Sequence, residues 1–172
     1  VLSPDGKRLA FTAARRDGKV TVWVRPLDSA AGQALAGTEG AIFPFWSPNG
    51  QGIGFFADGK LKKIDLARGV VSALAEAPLS RGGAWNRDDI IVFSPNTTSA
   101  LMRVSASGGA TTAATRFDQG QHEISHRWPS FLPDGNHYLY TSRDKGVFVA
   151  SLDGTEPPRR ILEDSTNALY RE

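Results

Sequence analysis

Residues 122–126 read His-Glu-Ile-Ser-His, a match to the H-E-x-x-H pattern. On a helix that spacing puts two imidazoles on one face, with the glutamate beside a zinc-bound water. The setting argues against a helix. Gly120 precedes the segment and Pro129 follows three residues after His126, leaving room for about two turns. The remaining histidine, His137, falls in a separate strand-like stretch. We therefore expect no metal site. Ser, His and Asp all occur, but no G-x-S-x-G elbow presents a nucleophile, and no carboxylate pair is marked out by spacing. Gly50-Gln51-Gly52-Ile53-Gly54 follows a turn and reads as glycines inside a strand, not as a phosphate cradle. No catalytic or cofactor-binding residue is assigned. Cysteine is absent, which excludes disulfides and thiolate metal sites. The net charge of +2, from 20 basic and 18 acidic residues, gives no concentrated basic stripe for nucleic acid. No apolar run approaches the length of a membrane span. The opening Val1-Leu2-Ser3-Pro4 does not look like a signal peptide and reads as the start of an excised piece.

The elements that position these residues follow a repeat. Turn-like segments recur at Ser3-Pro4-Asp5-Gly6, Ser47-Pro48-Asn49-Gly50, Asn86-Arg87-Asp88-Asp89 and Leu132-Pro133-Asp134-Gly135, spaced by 44, 39 and 46 residues. Pro presets φ, Asp or Asn tolerates the bent position, and Gly accepts positive φ; the third copy has lost both Pro and Gly. A short alternating strand follows each turn, with Leu9/Phe11, Ile53/Phe55, Ile91/Phe93 and Tyr138/Tyr140 each two apart on one face. A polar loop, a second strand, a weaker third strand and a short strand running into the next turn complete each unit. Trp46, Trp85 and Phe131, at the end of that last strand, are expected to fill the space between neighbouring units. Four short strands per roughly 43 residues, without helical periodicity, is the pattern of a β-propeller blade. The expected fold is all-β: a β-propeller fragment of about four blades, each a four-stranded antiparallel sheet. One domain spans 1–172, with units at about 3–46, 47–85, 86–131 and 132–172. The arc is open or completed by oligomerisation, since unpaired blade edges and apolar blade faces promote pairing of copies.

The unit SPDGKRLAFTAARRDGKVTVWVRPLD resembles the blades of the TolB-like, WD-repeat-related propellers, and the resemblance covers essentially the whole chain. The segments FPFWSPNGQGIGFFADGKLKKIDL, HRWPSFLPDGNHYLYTSRDKGVFVASLDG and DSTNALY look more narrowly like the propeller attached to bacterial receptor-type Ser/Thr protein kinases. That resemblance implies a non-enzymatic sensor or binding module of an envelope signalling kinase, in a periplasmic or other extracytoplasmic location. The alternatives are the gating propeller of a prolyl-oligopeptidase-like hydrolase and a periplasmic scaffold like TolB. By analogy with WD-type blades, Asn167-Ala168-Leu169-Tyr170 looks like the inner strand of a further blade.

The same analogy gathers the loops after each first strand and the loops before each inner strand on one face. That face carries Arg81, Glu123, His126, Arg127 and Arg143, the residues we expect to meet a protein or small-molecule ligand at the loops or channel mouth. His126 and Arg127 immediately precede an inner strand, and Phe43 and Trp128 occupy comparable positions in their copies.

Overall fold

The computed structural model describes residues 1–118, 120 and 122–170. Fifteen strands form four antiparallel sheets with no α-helix among the described residues. Blade 1 is the sheet β1 (Arg8–Ala14), β2 (Val20–Pro26) and β3 (Gln33–Ala34). Blade 2 holds β4 (Ile42–Trp46), β5 (Gly52–Ala57), β6 (Lys60–Asp65) and β7 (Val70–Glu76). Blade 3 holds β8 (Gly83–Trp85), β9 (Ile90–Phe93), β10 (Met102–Ser105) and β11 (Thr112–Ala113). Blade 4 holds β12 (His126–Phe131), β13 (His137–Ser142), β14 (Gly146–Ser151) and β15 (Arg159–Leu162). In each blade the strands lie side by side in chain order, as short hairpin connections dictate. Blade 1 has three named strands instead of four. Leu2 bridges Leu9 and the Ala10 amide donates to the Val1 carbonyl, so Val1-Leu2 stands where the fourth strand belongs. Each sheet begins one strand before its turn, so sheet and sequence repeat are offset by one strand.

All four turns close with the same bond, an amide at the fourth residue donating to the carbonyl of the first: Gly6 to Ser3, Gly50 to Ser47, Asp89 to Asn86 and Gly135 to Leu132. The degraded third copy keeps the geometry because Asp89 itself adopts φ 57°, a conformation Asp tolerates better than most residues. The Asn86 carboxamide oxygen also accepts from the amides of Asp88 and Ile90, as the Ser47 hydroxyl accepts from Gly52. The turns tie neighbouring blades together. Arg8 donates to the Gly50 carbonyl at 2.6 Å, and the Asn86 amide group to the Gly135 carbonyl at 2.7 Å.

Three apolar cores lie between the four blades. The first joins Ala10 and Val22 of blade 1 to Ile53, Phe55 and Ile64 of blade 2. The second joins Phe56 and Leu61 to Ile91, Phe93 and Val104. The third joins Val92 and Leu101 to Tyr138, Tyr140 and Ala150. The alternating pairs of β5, β9 and β13 thus each face the preceding blade, whereas Leu9 and Phe11 of β1 meet no such blade among the described residues and stay half-buried. A closed ring of four would need a fourth core; the described residues form an open arc. Trp46, Trp85 and Phe131 fall into the first, second and third cores respectively, the matching positions expected of successive blades.

Candidate partner-binding face

Inner strands meet around an axis, with β4 packed against β1 and β8, and β8 against β12. They line a cavity of about 620 Å³ together with Val1-Leu2 and residues of the segment Asn167–Tyr170. That last segment lies along the channel but forms no ladder with its neighbours. Where β4 and β12 enter the channel, each carries a register shift, between Ile42 and Phe45 and between Arg127 and Ser130. Inside each shift an aromatic residue has left-handed backbone, Phe43 at φ 51° and Trp128 at φ 54°, followed by Pro44 and Pro129. Blade 3 places Gly82, φ 91°, at the equivalent point. A glycine adopts this conformation freely, but a bulky aromatic does so at a cost of about 1–3 kcal/mol, and such strain concentrates at functional sites. The two strained rings meet edge to face with centroids 5.0 Å apart. Gly82 is small because a Cβ there would stand 2.7 Å from the Trp128 ring.

The two loop sets do come together beside this pair. The Arg143 amide donates to the Ser125 carbonyl, and the Arg127 guanidinium donates to the Ser125 hydroxyl at 2.6 Å and the Thr97 carbonyl at 3.0 Å. The Trp128 amide donates to the Arg81 carbonyl, joining the inner strands of blades 3 and 4. Partial burial, then the nearby charges of Arg143 and Arg81, make protonated Arg127 less favourable than in water, with Asp144 offsetting part of that repulsion. Arg143 also lies 3.6 Å from the Asp144 carboxylate, which leaves an excess of positive charge among the three guanidinium groups that favours an anionic group arriving from outside.

Glu123 and His126 take a different position from the one their sequence neighbours suggested. His126 is fully buried and does not reach the channel. Its ring packs between Phe117 and Tyr140, at centroid distances of 5.0 and 4.7 Å. The Thr115 hydroxyl hydrogen-bonds Nδ1 at 2.7 Å and also accepts from the Leu101 amide. Nε2 lies 3.3 Å from Glu123 Oε1, close enough for charge interaction but misaligned for a hydrogen bond. The H-E-x-x-H segment is not helical, and His122 is exposed with φ 51°. Among the described residues no group of three metal-ligating side chains gathers.

Burial holds the His126 pKa below its ordinary 6.5, outweighing the pull of Glu123, so the ring is neutral at pH 7. Burial alone would raise the Glu123 pKa, but hydrogen bonds from the Asp118 amide and the Ser142 hydroxyl, helped by His126, hold it below the usual carboxylate value. A histidine that binds its proton less readily when folded contributes stability above about pH 6.5 that is lost as the pH falls. His137 runs the other way. Its hydrogen bond to Asp134 raises its pKa, so its contribution is present below about pH 6.5 and fades as the pH rises through the folded value. In a His137→Asn background, the urea midpoint is expected to fall between pH 7.5 and 5.5, and His126→Gln to flatten that fall. An unchanged slope in the double variant would remove His126 as its cause.

Sequence reasoning found the equivalence of Phe43 and Trp128. It missed the enclosure of His126 by Thr115 and Phe117, which come from the loop after β11, and it missed the left-handed aromatics. The second had a visible signal in the paired Phe43-Pro44 and Trp128-Pro129, at the same distance before their turns.

No family model matches the chain, and comparison with curated proteins finds no match. Solved structures do match. The protein assigned as TolB in Agrobacterium tumefaciens superposes with a TM-score of 0.77 at 19% identity, over 90% of this chain and 61% of that one. TolB from Acinetobacter baumannii gives 0.79 at 14% identity, over 96% of this chain and 43% of its own. Oligogalacturonate lyase from Vibrio parahaemolyticus gives 0.72 at 17% identity, over 95% and 51%. The chain therefore spans about half the length of these structures. Three cores, four sheets and these superpositions together define the fold as a four-blade arc of a β-propeller, similar in fold to the two TolB structures.

Proposed function

We propose that this chain is a non-enzymatic, extracytoplasmic binding scaffold of the TolB kind, whose channel mouth takes an acidic segment of a partner protein. One observation carries the reading: two aromatic residues, Phe43 and Trp128, are held against each other on left-handed backbone at the mouth. Arg81, Arg127 and Arg143 flank them and supply the charge preference. Rigid aromatics backed by arginine are the usual anchors of protein–protein contacts. Peptides selected from a displayed library against the chain are expected to be rich in Asp and Glu. Phe43→Gly is expected to weaken their binding at least about tenfold. Because Phe43 is 36% exposed and glycine relieves its backbone, stability should stay within about 1 kcal/mol. Peptides that bind Phe43→Gly and Trp128→Ala as tightly as the parent would overturn the site.

The three segments that look like kinase-attached propellers favour a second reading, the sensor domain of an envelope signalling kinase. The adjoining gene sequence separates the two, since that reading requires a kinase domain and a membrane span. A Gly-x-Ser-x-Gly hydrolase there would instead make the arc a gating propeller.

A further inference from the structure

A second cavity, of about 530 Å³, opens away from the channel, between the loop after β11, the β13–β14 turn and the segment entering β15. Its volume is in the range of small-ligand sites. Phe117, Phe148, Pro157 and Pro158 form its apolar walls. These walls are fixed from behind, because Phe148 stacks on Tyr140 at 5.5 Å and Phe117 sits edge-on to buried His126. Two carboxylates also border the cavity: Asp118, whose Oδ1 accepts from the Gly120 amide, and Glu123, with its side chain only 6% exposed. Glu123 is already committed: Oε2 accepts from the Asp118 amide, and Oε1 accepts from Ser142 and lies beside His126.

The cations are less committed. Arg160 pairs with Glu163 at 3.3 Å. Arg116 and Lys145 meet no side-chain hydrogen-bond or ion-pair partner among the described residues, yet both line the cavity. An apolar slot of this size with two unpartnered cations at its edge fits a molecule that is flat and apolar at one end and anionic at the other. We infer that this cavity is a binding site for a small aromatic carboxylate, with the ring between Phe117 and Phe148 and the carboxylate on Arg116 and Lys145. The site is independent of the channel mouth, and neither reading requires the other.

The test uses 2-naphthoate as probe, with 2-naphthamide as its neutral isostere and inorganic phosphate as an anion without a ring. Amide chemical shifts of the isotopically labelled chain report the site. Naphthoate is expected to give saturable shifts centred on Phe117, Lys145 and Phe148. Naphthamide, phosphate, and naphthoate on Arg116→Ala/Lys145→Ala should each bind at least about tenfold more weakly. Both substitutions are at the cavity edge, so the variant should keep the parent spectrum elsewhere. Equal binding of naphthamide would overturn the anionic half of the proposal, and equal binding of phosphate the aromatic half. Shifts that do not saturate, or that centre on Phe43 and Trp128, would overturn the site itself.

Discussion

Tyr138→Ala is expected to lower the unfolding free energy by about 3–5 kcal/mol, the range for removing a large aromatic from a core. Tyr138 is fully buried in the third interblade core, with its ring 5.8 Å from Phe131 and 6.3 Å from Tyr140. Its hydroxyl donates to the Ala114 carbonyl at 2.8 Å, so a single side chain of blade 4 is fastened to blade 3 by both packing and a hydrogen bond. Burial also pushes its pKa up, so the hydroxyl keeps its proton throughout the working range of pH. Tyr138→Phe separates the two contributions. It keeps the ring and loses the bond, and should cost only about 0.5–1.5 kcal/mol. Since small domains are stable by about 5–15 kcal/mol, the alanine variant is expected to show a much lower urea midpoint or to be unfolded outright. A loss below about 1 kcal/mol for Tyr138→Ala would mean that the two blades are not held together there.

Gly54→Ala tests the opposite fault, too much volume. Gly54 lies directly across the ladder from Phe45, and the Phe45 ring covers it so closely that a Cβ would stand 2.2 Å from Cζ. The ring has nowhere to retreat, because on its other side Gly83 of blade 3 would bring a Cβ to 2.7 Å from it. Phe45 is thus clasped between a glycine of its own blade and one of the next. One added methyl must displace β4 or the ring, at about 1–3 kcal/mol or more. Gly6, whose hypothetical Cβ meets nothing within 4 Å, is the control for loss of glycine as such, although its positive φ gives alanine there a strain cost of its own. Thermal or urea unfolding of Gly54→Ala, Gly83→Ala and Gly6→Ala checks this. The outcome that would sink the argument is Gly54→Ala as stable as the parent.

Much of the architecture was legible because it is written more than once. Four turns at near-regular spacing and four two-apart pairs gave the blades, and even Asn86–Asp89 kept its fold after losing Pro and Gly because Asp can stand in for glycine. Gly50 belongs to the turn, with φ 68°, whereas Gly52 and Gly54 were readable as strand residues. That Gly54 exists to admit the Phe45 ring was not, since the partner lies on another strand and only the register brings them together. The placement of Arg81 before β8, of Arg127 near the start of β12 and of Arg143 after β13 was legible from the strand pattern. The fate of His126 was missed: neighbouring strand residues point to opposite faces, so His126 and Arg127 could not share one surface. Ala41 and Ser80, buried at the corresponding points of the earlier blades, carry the information that this position faces inward.

The serial placement of the cores has a consequence for how the chain comes apart. Each blade leans only on its immediate neighbours, as in a stack of tiles. Among the described residues, blades 2 and 3 are braced on both flanks, whereas blades 1 and 4 are each braced on one. Resistance to opening is therefore graded along the polypeptide, greatest at β5 and β9 and least toward either terminus. The mouth aromatics sit on β4 and β12, one anchored in the firm interior and one in a looser end blade. A partner that grips both rings would act as a splint, lending the outer blade the rigidity of the inner one.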